Sequence, residues 1–217
     1  MHILKEDFAG FDAQLIIMDV VPWMLPYYEA SGIQFEIEDN RDYMDYTFTP
    51  EQFLAGMDTQ DDRYRYNYFK RRFAYETEEI TPFHREEIRE FMEREWCGEK
   101  TCEECHCGCL LRVIDNLVPV FDKIRINGIL VRVEGKMAGL CIVSCRNGLG
   151  VYQYKNAVNR IKGINEYLLR ESFERYLQSA DTINYTEDMG VENLRYYKEH
   201  MAPAHTLLSK LTLTERG

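Results

Sequence analysis

No apolar run in the sequence approaches the ~20 residues that cross a bilayer. The densest stretch, Leu15 to Leu25, is broken by Asp19 and Pro22. Lys5, Glu6 and Asp7 are wrong for a secretory leader. A cytoplasmic protein without a membrane span is expected. Basic charge is also scarce: 26 Lys and Arg stand against 37 Asp and Glu, a formal net charge of −11. Such a field repels polyanions, so nucleic acid or an anionic membrane would need a local basic patch. Proline is sparse, at 6 of 217 residues, while 45% of the chain is hydrophobic and 13% aromatic. That apolar surface offsets the entropy of ordering the chain and excludes global disorder. The length excludes a many-domain machine and suits one large domain, or one domain plus a fragment.

What is present is arranged in readable blocks. Residues 11–28 are dense in apolar side chains with two prolines and suggest one or two short helices. From Gln34 to Phe48 charge alternates with Phe35, Ile37, Tyr43, Tyr46 and Phe48, which predicts strands about a polar turn at Asp39-Asn40. A short helix follows Pro50. Residues Arg63 to Phe73 form the one basic segment, with Arg63, Arg65, Lys70, Arg71 and Arg72 among Tyr64, Tyr66, Tyr68 and Phe69. Such a segment can face tRNA or phospholipid phosphates, or form a half-buried edge strand. Thr81-Pro82 opens a helix to about Trp96, and another runs from Leu110 to Phe121. Three β-rich runs, Ile129 to Val133, Ala138 to Cys145 and Val151 to Tyr154, are joined by Glu134-Gly135-Lys136 and Asn147-Gly148, which predicts an antiparallel meander. An amphipathic helix over Ile164 to Leu177, a strand at Thr182 to Tyr185, a helix over Val191 to His200 and a closing strand at Thr206 to Leu213 complete the order. That order supports an α/β (α+β) class with helices against one twisted, mostly antiparallel sheet.

Glycine joins the third meander strand to the following helix within Arg160-Ile161-Lys162-Gly163-Ile164-Asn165. This segment resembles the pyrophosphate-binding loop of the GNAT acyltransferase superfamily. Gly163 allows unusual backbone angles, amides at a helix start point outward, and Arg160 and Lys162 add charge. A narrower resemblance rests on Asp42-Tyr43-Met44-Asp45-Tyr46, Trp96-Cys97, Arg132-Val133-Glu134-Gly135-Lys136, Lys162-Gly163, and the run Ile183 to Arg195. These segments look like the family similar to the phosphatidylglycerol lysyltransferase C-terminal domain. The resemblance implies two tandem GNAT-like units, with residues 1–35 a remnant of the first and 36–217 the second. It also implies transfer of an acyl or aminoacyl group, from acyl-CoA or an aminoacyl-tRNA, to an amine or hydroxyl. The partners are then a small-molecule donor and acceptor, and tRNA is disfavoured by net charge. The alternative is a catalytically silent GNAT-like module that binds a small anionic ligand or a protein partner.

Candidate site residues follow, each beside a structural alternative. Arg160, Lys162, Gly163, Ile164 and Asn165 would hold donor phosphates, or simply start a helix beside a surface basic pair. Tyr197 could protonate a leaving group, or pack. Asp188 could belong to a site, or accept amides before the last long helix. Asn184 could bond an acceptor substrate, or backbone. Five of the 7 cysteines crowd into Cys97, Cys102, Cys105, Cys107 and Cys109. With His106 they suggest zinc, chiefly through Cys102, Cys105, Cys107 and Cys109, or a disulfide, or inert thiols.

Overall fold

Two tight turns fix the middle of the chain. Glu134 and Gly135 have φ of 52° and 76°, and Asn147 and Gly148 have 50° and 79°, the backbone twist that joins antiparallel strands through two-residue loops. The protein is described by a computed structural model over residues 16–97, 108–124, 126–201 and 206–215. Cys102, Cys105 and Cys107 lie outside the described residues, as does the side chain of Cys109, so the expected metal site does too. The first segment runs β1 (Ile16–Val20), α1 (Leu25–Glu29), β2 (Phe35–Asp39) and β3 (Asp45–Phe48). Next come α2 (Pro50–Gly56), α3 (Gln60–Arg72), β4 (Tyr75–Glu79), α4 (Arg85–Met92) and α5 (Gly108–Leu117). Then follow β5 (Ile126–Val133), β6 (Lys136–Arg146), β7 (Leu149–Ala157), α6 (Ile164–Ser172) and β8 (Thr182–Asn184). The chain closes with α7 (Glu192–Met201), β9 (Thr206–Leu208) and β10 (Leu211–Glu215). These elements form two compact units, Phe48–Tyr185, and Met1–Thr47 with Thr186–Gly217.

In the unit Phe48–Tyr185 the meander is as the turn residues predict. β4, β5, β6 and β7 run antiparallel in that order, and β8 lies parallel to β7. Helices α6 and α4 both pack on β6. The central strands are therefore covered on both faces, and Ile129, Leu130, Val131, Leu140, Cys141, Ile142 and Val143 are wholly buried. That double burial is why these runs read as continuous apolar sequence rather than as alternation. An aromatic core sits beside them, with Phe53 stacked on Tyr152 and Phe173 at centroid distances of 5.1 and 5.8 Å. Each such pair adds about 1 kcal/mol beyond area burial. Phe53 is carried in by α2, whose start is fixed by a capping box. Thr49 Oγ1 accepts from the Gln52 amide at 3.2 Å, and the Thr49 amide donates to Gln52 Oε1 at 2.8 Å. Thr49→Ala is expected to cost about 1 kcal/mol, read as a lowered urea midpoint with an unchanged m-value.

The basic segment is a helix, α3, not an edge strand. Thr59 caps it by accepting from the Asp62 amide, Asp61 and Asp62 occupy its first turn, and Lys70, Arg71 and Arg72 its last. Both charge blocks thus complement the helix dipole. The alternation of Tyr and Arg mimics period two, but Phe69 is the residue that the helix buries. The helix expected over Ile164 to Leu177 is α6 followed by a π-helical turn, Phe173–Leu177.

In the other unit, β1, β10 and β2 form an antiparallel sheet in that order. Val20, Leu211 and Leu213 are its buried centre, with Ile17, Met24, Leu25, Tyr28 and Phe35 packed around them. β3 pairs antiparallel with β9. Three sequence expectations change here. Residues 16–20 are a strand ahead of α1 rather than helix. β2 and β3 do not pair with each other across Asp39-Asn40; a single 3-10 turn, Arg41–Tyr43, separates strands with different partners. The closing strand is two, because the chain breaks at Ser209 and Lys210, where Ser209 Oγ donates to Asp39 Oδ1 and Lys210 Nζ reaches Asp45 at 2.8 Å. The fold is thus mixed α/β, mostly antiparallel and flanked by helices, but its strands fall into more than one sheet.

Candidate functional site

The meander carries a local irregularity at β7. The pairing of β6 with β7 steps from Ile142–Tyr154 to Val143–Tyr152, so Gln153 is an extra residue on β7. An inserted residue of this kind re-aims the side chains on either side of it. Tyr152 turns to α6, donating from its hydroxyl to Leu169 O at 2.9 Å, whereas Tyr154 turns to α4 and contacts Met92 Sδ at 3.0 Å. On the same strand Lys155 donates from Nζ to Asn165 Oδ1 on α6 at 2.8 Å. Desolvation pulls that ammonium below the ordinary lysine value, against the pull of Cys141 and Glu166. β8 accompanies β7 only along Leu149–Val151, and β7 continues to Ala157.

The expected phosphate loop enters α6 beside this stretch. Gly163 has φ of 89°, and a Cβ there would collide with the Arg65 carbonyl oxygen of α3. The glycine is required for close packing of α3 against the bend. The Ile164 amide donates to Ile161 O at 3.4 Å, so it is not presented outward as the sequence suggests. Asn165 is engaged by Lys155. Lys162 holds its ammonium 4.6 Å from the Tyr64 ring centroid and 5.4 Å from that of Tyr68. Arg160 is 79% exposed, with Glu95 at 3.8 Å. Arg160 and Lys162 thus bring exposed positive charge to the rim of the bend, while Gly163 is packed against α3. Asn184, nearly buried, ends β8 in this unit.

In the unit holding Thr186–Gly217, Asp188 is completely buried and its carboxylate is crowded with donors. Arg41 reaches Oδ2 at 3.0 Å, Arg195 reaches Oδ2 at 3.0 Å and Oδ1 at 2.9 Å, Tyr46 donates to Oδ2 at 2.7 Å, and the Gly190 amide donates to Oδ1 at 3.0 Å. Burial works against ionisation, but the bonds from Arg195, Tyr46, Gly190 and Arg41 prevail and hold the carboxyl well below the usual carboxylate range. The turn around it is strained, since Thr186 and Met189 have φ of 58° and 53° without being glycine. Lys198 pins the same turn from α7. Its ammonium, 3% exposed, donates to Thr186 O at 3.1 Å and Glu187 O at 2.7 Å. Tyr197, the neighbouring residue on α7, is 37% exposed.

The expected residues thus fall into two groups: the α6 entrance with Asn184, and the Asp188 turn with Tyr197. Sequence reasoning missed Lys155, Arg41, Tyr46 and Lys198. Lys155 carried a signal, being the one charged residue in the strand Leu149–Ala157. Arg41 and Tyr46 carried none, because their partner Asp188 is far away in sequence.

No helix among the described residues is long and apolar enough to cross a membrane. No curated protein sequence matches the chain. Among solved structures, a conserved protein of unknown function from Bacteroides thetaiotaomicron VPI-5482 is similar, at 24% identity and a TM-score of 0.79, covering 99% of this chain and 74% of that one. L-PGS from Bacillus licheniformis is similar at 14% identity and a TM-score of 0.68, covering 99% and 72%. A GCN5-related N-acetyltransferase from Kribbella flavida matches at 10% identity and a TM-score of 0.50, covering 100% and 74%. The family model for the C-terminal part of phosphatidylglycerol lysyltransferase matches residues 1–209. Together with the GNAT-like fold, these matches support acyl or aminoacyl transfer as the kind of function, rather than a silent binding module. The chain belongs to the phosphatidylglycerol lysyltransferase C-terminal family.

Proposed function

We propose that this chain moves an acyl or aminoacyl group from acyl-CoA or an aminoacyl-tRNA to an amine or hydroxyl acceptor, with lysine and phosphatidylglycerol the first donor group and acceptor to try. The observation that carries the reading is the β7 segment past Val151, where the strand bulges at Gln153 and continues beyond β8. Backbone N–H groups in such a segment can hold the donor carbonyl and the oxyanion that forms when the acceptor attacks it. The acceptor oxygen or nitrogen bonds to the carbonyl carbon, the bond to the thiol sulfur or ribose oxygen breaks, and the proton lost by the acceptor ends on the leaving atom. Positioning supplies most of the rate in such a step. Arg160 and Lys162 are the cations proposed for the donor's phosphates. Asp188 is proposed to organise its turn, since a carboxylate held ionised by two guanidiniums is a poor proton acceptor. Tyr197 and Asn184 remain the proposed proton donor and acceptor-substrate contact.

The test is a transfer assay on the purified chain. Acetyl-CoA and lysyl-tRNA are each offered with vesicles containing phosphatidylglycerol and with soluble amines, and products are read by mass spectrometry. A product formed with one donor, together with a raised melting temperature in that donor's presence, supports the reading. Absence of product and of any shift with every donor overturns it.

A further inference from the structure

The edge of the three-stranded sheet offers a surface that group transfer does not use. β2 pairs on one side with β10, and no strand lies along its other side among the described residues. Glu36, Ile37, Glu38 and Asp39 are all exposed. An open edge is a template for another extended segment. Next to it lies a cavity of about 510 Å3 whose lining includes the apolar Leu25, Phe35, Ile37 and Leu213 and, at its polar part, Glu29 and Gln34. Trp23 and Tyr27, exposed by 69% and 71%, stand nearby on the turn before α1 and on α1 itself.

The two faces of this edge differ in chemistry. Phe35 and Ile37 share the cavity face, while Glu36 and Glu38 project from the opposite face, level with Thr214 and Thr212 of β10. A strand added beside β2 would place alternate side chains over the cavity and beside the glutamates. A second copy of the chain is a poor occupant. Antiparallel self-pairing centred on Ile37 sets Glu36 against Glu38 on both sides, and like charges directly opposite are destabilising.

We propose that β2 is a docking edge for an extended basic segment of another protein, in which lysine or arginine alternates with aliphatic residues. The basic side chains pair with Glu36 and Glu38, and the aliphatic ones enter the cavity between α1 and β2.

The probe is a labelled seven-residue peptide alternating lysine with valine, added to the full chain and followed by fluorescence anisotropy. A peptide of the same composition with its lysines in one block is the control. The alternating peptide is expected to bind about tenfold more tightly than the block peptide, because only it satisfies both faces. Glu36→Lys with Glu38→Lys should weaken it by about tenfold or more while the circular dichroism spectrum stays the same. Amide hydrogen exchange at residues 35–39 should slow on binding. Equal affinity for the two peptides, binding unaffected by the charge reversal, or binding without protection of β2 would each overturn the proposal. So would self-association of the chain through this edge in light scattering.

Discussion

Replacing Asp188 by alanine is expected to lower the unfolding free energy by about 4 kcal/mol, measured by urea denaturation at neutral pH. The carboxylate accepts from Arg41, Arg195, Tyr46 and the Gly190 amide, and no solvent reaches it. Removing it leaves Arg41 and Arg195 with only their outer partners, Glu199 and Asp42, beside a void, and a left-handed turn without its clamp. Arg41 and Arg195 are each about one-third exposed, and water there offsets part of the loss, so the effect stays below the upper end for a broken buried pair. Asp188→Asn keeps the shape and one acceptor oxygen, and should cost roughly half as much. The acid limb of stability carries the same signature. Because the folded-state carboxyl is depressed, its contribution is fully present above about pH 5 and is lost as pH falls below the ordinary carboxylate value. The alanine variant should show a shallower loss of stability between neutral and acid pH than the parent. If the two pH profiles run parallel, the carboxylate is not the anchor of this turn.

The contrast between the meander and this turn says what a sequence can carry. Glu134-Gly135 and Asn147-Gly148 are local signals, and the antiparallel strands that they join appear where the residues imply. α3 was hidden because its tyrosines and arginines alternate, and the evidence against a strand lay at its ends, in Thr59, Asp61 and Asp62. The break between β9 and β10 has no local mark either. It follows from Lys210 reaching Asp45 and from Leu211 and Leu213 being needed under α1. Asp188 was legible as a residue before a helix, but its role was not, since Arg41 and Tyr46 approach it across most of the chain. Local chemistry writes turns and caps into neighbouring residues, whereas a buried charge is explained only by partners that folding brings to it. The bend at Gly163 has a second use that its sequence does not show: besides allowing unusual backbone angles, the glycine lets α3 approach α6.

That second use separates two variants at neighbouring positions. Gly163→Ala is expected to destabilise the chain by about 3 kcal/mol: a left-handed alanine costs ~1 to 2 kcal/mol, and its Cβ would force the Arg65 carbonyl and Phe69 away from α6. Phe69 is wholly buried against Tyr75 and Tyr167 at 5.0 Å from each, so the displacement reaches the core rather than a loop, and the melting temperature should fall by more than 5 °C or so on the scale for a chain of this size. Arg160→Ala with Lys162→Ala is expected to behave in the opposite way. Arg160, itself exposed, makes one long ion pair, and the exposed Lys162 lies on the exposed Tyr64 ring and the half-buried Tyr68 ring, so stability should change by less than about 1 kcal/mol. Donor KM should rise by about tenfold or more if these cations meet the donor's phosphates, with kcat little altered. An unchanged donor KM would move phosphate binding away from the α6 entrance altogether. A Gly163→Ala variant that keeps full stability would mean that α3 can yield at this bend, which would open the backbone of Gly163 and Ile164 as a seat for the donor.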